Sequence, residues 1–144
     1  MATQNVGKGP LEDAAINVKT KLSALWASVM FCYVYGDYFG LYGQGKLAEM
    51  MQGRIGPLGE ATQNVLIGVS AMMAVPSAMI FLSLVLRPAV NRWLNIPLGL
   101  IYTAIMLATM RGAPASYVFM GAIEVVLTLL VVWYAWRWPR HPAD

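Results

Sequence analysis

Two carboxylic acids stand in apolar sequence: Asp37 in the stretch YVYGDYFGLY and Glu124 in GAIEVVLTLL. No lysine or arginine lies at a matching depth to neutralise either one. Such an acid is tolerated in one of two ways. It is protonated and donates a hydrogen bond, for Glu124 to Tyr102 or a backbone carbonyl, or a cation (a proton, a metal ion or an amine) occupies the site. Asp37, nearer water, is expected to stay ionised, with Lys46 or Arg111 above it. Tyr33 precedes Asp37 by four residues and shares its helix face. Ser70, Tyr102 and Thr103 fall at a similar depth. One polar cluster of Asp37, Glu124, Tyr33, Tyr102, Thr103 and Ser70 is therefore expected. The competing reading makes each acid interhelical glue, worth about 1 kcal/mol or less.

Other chemistry is hard to assemble. The single histidine, His141, is in the tail, and the single cysteine, Cys32, has no thiol partner in the chain. No haem or histidine-ligated metal centre is expected, and no cofactor. No Ser/His/Asp set can be built, and no lysine sits in an apolar run for a Schiff base. Acid–base work on a lipid by the two carboxylates alone is a third, weaker option, with no catalytic residue to assign.

The elements that must hold these side chains are helices. The chain is 58% hydrophobic and 12% charged, against about a quarter charged in a typical soluble domain. The deficit is concentrated in four runs, 22–42, 64–86, 94–110 and 116–136, the third with a start as early as Pro88. Each approaches the ~20 residues that cross a ~30 Å hydrocarbon core, where every backbone polar group must be paired within its own segment. The sequence predicts an all-α bundle of four transmembrane helices, spanning residues 21–139, between a polar arm (1–20) and a short tail (140–144). The arm has no signal-peptide core, so the first span is expected to act as an uncleaved insertion signal. In the first loop, Lys46–Gln52 is expected to form a short interfacial helix, either sealing the bundle or covering a pocket.

Charge sets the orientation. Lys8, Lys19, Lys21, Arg87, Arg92, Arg137 and Arg140 fall on one side of the spans, and Lys46, Arg54 and Arg111 on the other. The positive-inside rule then places both termini in the cytoplasm. Trp26, Trp93, Trp133, Trp136 and Trp138 gather near span ends on that same side, as interfacial rings do. The net charge of +3 is thus a matter of position and points to a bilayer, with no nucleic-acid partner. By this topology both acids lie in the outer half, Asp37 ~8 Å and Glu124 ~12 Å deep at about 1.5 Å per residue.

Small residues recur every fourth position in the first span: Ala24, Ser28, Cys32, Gly36 and Gly40. Weaker small or polar stripes follow in the others: Ser70, Ala74, Ser77 and Ala78; Asn95, Gly99, Tyr102 and Thr103; Tyr117, Gly121, Glu124 and Thr128. Such stripes let backbones approach where lipid gives no hydrophobic drive for association. Ser28, Cys32, Gly36, Gly40 and Gly121 are thus packing candidates. For the first span, packing within the chain is favoured over a homo-oligomer seam, which stays open.

The segments FCYVYGDYFGLYGQG, MMQGRIGPLGEATQ, PSAMIFLSLVLRPAVNRWLNI and IEVVLTLLVVWYAWRWP resemble a family of small four-helix bacterial membrane proteins of unknown function, over about residues 20–139. The resemblance implies a bacterial inner-membrane location and brings no established activity. The architecture is more loosely similar to DoxX-like membrane proteins, without the paired thiols of a redox reading. The expected function is binding or transport of a small cationic or protonatable solute at the outer-half pocket. The alternative is a non-catalytic accessory or scaffold protein acting through helix association.

Overall fold

The structure, a computed structural model, describes residues 14–139. Lys8, Arg140, His141 and most of the polar arm and tail lie outside the described residues. Among those described the chain is all-α: α1 (Val18–Gly40), α2 (Lys46–Met51), α3 (Gln63–Val85), α4 (Pro88–Thr109) and α5 (Ala115–Trp136), with a 3-10 turn at Gly56–Leu58. Local chemistry sets the helix starts. Asn17 and Thr62 cap α1 and α3, accepting from the backbone N–H of Lys19 and Val65. Pro88, whose missing N–H costs nothing at the first helical position, starts α4 at the earliest boundary expected. Gly112, at φ +72°, makes the left-handed turn between α4 and α5.

The four long helices alternate in direction. Ser23 of α1 donates to the carbonyl of Ile80 near the end of α3, and Asn91 near the start of α4 donates to that of Ser83. Thr103 of α4 meets Thr128 of α5, and Tyr117 reaches back to Thr109. The start of α1 and the end of α5 therefore lie together, with Lys21 over the Tyr134 ring. The core holds Leu22, Trp26 and Val29 of α1, Met79 of α3, Ile96 and Tyr102 of α4, and Val131 and Ala135 of α5.

Among the described residues, only α3 and α5 are long and apolar enough, by length and composition, to cross a membrane. α4 falls short because of the polar residues it turns inward, and α1 because of Asp37, Tyr35 and Tyr38, which are exposed. α4 buries Asn91, Asn95, Tyr102 and Thr103 while exposing Leu94, Leu100, Ile101 and Leu107. α5 likewise buries Glu124 and Thr128 and exposes Phe119, Val126, Leu129 and Leu130. The polarity is that of a soluble helix turned inside out.

Three expectations about faces need correcting. Trp26 is not an interfacial ring: it is fully buried, and its indole N–H donates to Asn95. The small face of α3 points outward, for Ser70, Ala74, Ser77 and Ala78 are all exposed, while Pro76, Met79 and Ser83 are buried. On α1, Ala24, Ser28 and Gly40 are exposed, and the buried residues are Leu22, Ser23, Trp26 and Val29. Bulky side chains reach the core from these two helices, whereas α4 and α5 meet at their small residues. A methyl group on Gly99 would stand 2.7 Å from Val132 Cγ2 and 3.0 Å from the Thr128 carbonyl oxygen; one on Gly121 would stand 2.9 Å from Met106 Sδ. Gly36 and Gly40 would meet nothing within 4 Å, so neither packs closely within the chain.

Candidate functional site

Glu124 faces inward from the middle of α5, 3% exposed, and its Oε2 has no hydrogen-bond partner. An orphaned buried oxygen costs about 1–3 kcal/mol, more if charged. The packing of α5 against α1 and α4 puts it there. Thr128, one turn on, donates to the Glu124 carbonyl and shares a 2.7 Å bond with Thr103, tying the two helices together beside the acid. The Tyr33 ring stands 6.5 Å from that of Tyr102, which in turn meets Trp26 edge to face at 5.7 Å.

Tyr102 does not serve Glu124. Its hydroxyl donates to the backbone carbonyl of Met72 on α3. Met72 lies four residues before Pro76, so this is the carbonyl the proline leaves without a helical N–H. A tyrosine from α4 thus repairs the broken rung of α3. Lys46 likewise leaves Asp37 alone and pairs with Glu49 at 3.3 Å.

Asp37, toward the end of α1, is exposed. It opens onto a cleft of about 390 Å³ between α1, the first loop and the start of α3, lined also by Lys46, Glu49, Arg54 and Leu66. The expected loop helix is present as α2 and contributes to this wall. On the other flank of α1, a second cleft of about 540 Å³ separates Gly36 and Gly40 from Ser116, Tyr117 and Met120 of α5. The end of α1 therefore stands between two openings, and Asp37 lines the first of them.

Of the residues singled out in the sequence, Tyr33 and Tyr102 face each other ring to ring, Asp37 lines the cleft by the first loop, and Glu124 is buried on α5, one turn from the Thr128 that bonds Thr103. Ser70 is exposed on α3. Ser28 bonds its own helix at Ala24, Cys32 is half-buried, and Gly121 packs on Met106 and Met110. Among the described residues no three His, Cys, Asp or Glu side chains come together as metal ligands do.

The sequence reading missed a second polar assembly at the opposite end. Trp26 Nε1 donates to Asn95 Oδ1 at 2.7 Å, Asn95 Nδ2 donates to the backbone and side-chain oxygens of Asn91, and Asn91 Nδ2 donates to the Ser83 carbonyl. The signal was the four-residue spacing Asn91, Asn95, Gly99, Thr103. Asn91 escaped notice because it falls before the expected start of the third span.

The model of DUF6326, a family of unknown function, matches residues 13–143, and the chain belongs to that family. No curated protein and no solved structure matches it.

Proposed function

We propose that this DUF6326 chain is a bacterial inner-membrane protein with four spans and cytoplasmic termini. Its outer half binds or passes a small cationic or protonatable solute at Asp37 and Glu124. The membrane reading is supported by the inverted polarity of α4 and α5 and by large exposed side chains such as Phe31, Phe81 and Phe119, each more than 60% exposed. Lipid is the solvent in which such a surface is stable. Packed against α5, helices α1 and α4 can cross too, because α4 buries its asparagines and the Trp26 indole of α1 donates to one of them.

One observation carries the solute reading: the buried Glu124 oxygen without a partner. An intramembrane acid marks a binding site or ion path far more readily when its valence is unfilled than when it is sealed in hydrogen bonds. Asp37 is the outer charge, Tyr33 the wall between the two acids, and the first loop the cover. Infrared difference spectra of the purified protein, with sodium, potassium or methylammonium added, test this. A Glu124 carboxyl band that shifts with one of these cations and vanishes in Glu124→Gln is expected, together with loss of flux of that cation in vesicles carrying the variant. A band indifferent to every cation would sink the reading.

The scaffold alternative keeps one specific support, the open space at Gly36 and Gly40 on α1. It predicts that Gly36→Leu disrupts assembly while Asp37→Asn and Glu124→Gln are silent.

A further inference from the structure

The end of the molecule far from Asp37 carries positive charge that no acid among the described residues pairs. Arg92, in the first turns of α4, lies between the Trp93 ring and the Trp136 ring of α5, 5.7 Å from each centroid. Its Nε is buried without an acceptor. Arg137 lies over the Trp133 ring at 4.5 Å, and Lys21 over that of Tyr134 at 5.1 Å. The acids among the described residues, Asp37, Glu49, Glu60 and Glu124, all belong to the other half. Even Glu124 is thirteen residues from Arg137 along α5, about 20 Å at helical rise. The single ion pair among the described residues is Lys46–Glu49. These arginines lie against aromatic faces, with their hydrogen-bonding edges unused by any carboxylate among the described residues.

Below Trp133 an apolar groove of about 300 Å³ runs along the outer face of α5, lined by Val126, Leu129, Leu130 and Trp133. Trp133 belongs to both features: its ring carries Arg137 and closes the groove. The two together have the shape of an amphiphile, an anionic head at the helix ends and an apolar chain along α5. The α4 N-terminus adds the positive end of its dipole at the same level, with no side chain capping it.

We propose that the outer face of α5, with Arg92 of α4 beside its end, is a binding site for an anionic phospholipid. The phosphate sits at Arg92 and Arg137, and one acyl chain lies on Val126, Leu129 and Leu130. The inference rests on the membrane reading above and is independent of the solute site. A free phosphate would leave the groove unused, and a zwitterionic lipid would bring its own cation to a site that already has two.

Native mass spectrometry of the detergent-purified chain, with phosphatidylglycerol and phosphatidylcholine of identical chains, is the test. Phosphatidylglycerol adducts are expected to dominate. A basic residue near the headgroups contributes about fivefold to anionic-lipid binding, so Arg137→Gln should lower phosphatidylglycerol occupancy by about that factor, and adding Arg92→Gln should lower it again. Phosphatidylcholine occupancy should not move. Arg137 is exposed, so its variant keeps the fold even if Arg92→Gln does not. Equal occupancy of the two lipids, or an Arg137→Gln chain that retains phosphatidylglycerol, overturns the proposal. Glycerol phosphate competing as well as the whole lipid overturns it too, by making this a soluble phosphate site. A chain that stays dispersed without detergent or lipid would instead remove the membrane reading.

Discussion

The two polar assemblies inside this helix pack are built on opposite plans. At one end Trp26, Asn95, Asn91 and the Ser83 carbonyl form a relay in which the indole and both carboxamide donors find acceptors, with both asparagines fully buried and only the Ser83 hydroxyl beside them left without a partner. At the other, Glu124 is almost as deeply buried yet keeps an oxygen without a partner, while Asp37 is exposed on a cleft. A satisfied network specifies how helices meet, and breaking it is costly. An unsatisfied one is tolerated when something outside the chain completes it. The difference separates a structural device from a candidate site, although both look alike as isolated polar letters in apolar sequence.

The comparison can be broken by substitution. The largest effect is expected from Asn95→Ala, which strands the Trp26 indole N–H and the Asn91 carboxamide oxygen. At about 1–3 kcal/mol for each orphan, the loss should be several kcal/mol, seen as a lowered melting temperature in detergent. Next is Gly99→Ala, whose new methyl meets Val132 and the Thr128 backbone. Overpacking of this kind costs about 1–3 kcal/mol. Tyr102→Phe should cost about 1 kcal/mol, the net order of one intramolecular hydrogen bond. Its sharper readout is faster amide exchange around Pro76, because the Met72 carbonyl loses its donor. Glu124→Gln and Gly36→Ala should leave stability within about 0.5 kcal/mol, since neither removes a bond or meets an atom. Stability of Glu124→Gln falling as far as that of Asn95→Ala would erase the distinction and make the acid structural.

Legibility in the sequence followed the same divide. The inward faces of α4 and α5 were readable because small and polar residues recur there at helical spacing, and Asn95, Gly99, Tyr102, Thr103, Gly121, Glu124 and Thr128 are all buried. The same rule misled on α1 and α3. There the core is filled by Leu22, Trp26, Val29 and Met79, and the small residues are left outside. Size alone does not say which face a helix buries: a short side chain permits close approach without requiring it. Trp26 was misplaced for a related reason, since position near a span end suits both an interfacial ring and an inward donor, and only Asn95 decides between them.

The sequence by itself determined that the chain is helical, roughly where each long helix begins and ends, and that two acids sit in apolar surroundings. Those properties depend on neighbours in the chain: hydropathy over about twenty residues, a capping Asn17 or Thr62, a proline at the first turn of α4. Helix rotation and partnership depend on residues far apart in the chain. That Tyr102 repairs the Pro76 gap instead of serving Glu124, and that Lys46 takes Glu49 instead of Asp37, follows from distances between helices. The tertiary structure alone decided these, because a hydrogen bond is won by whichever acceptor lies within about 3 Å, and no local pattern encodes that separation.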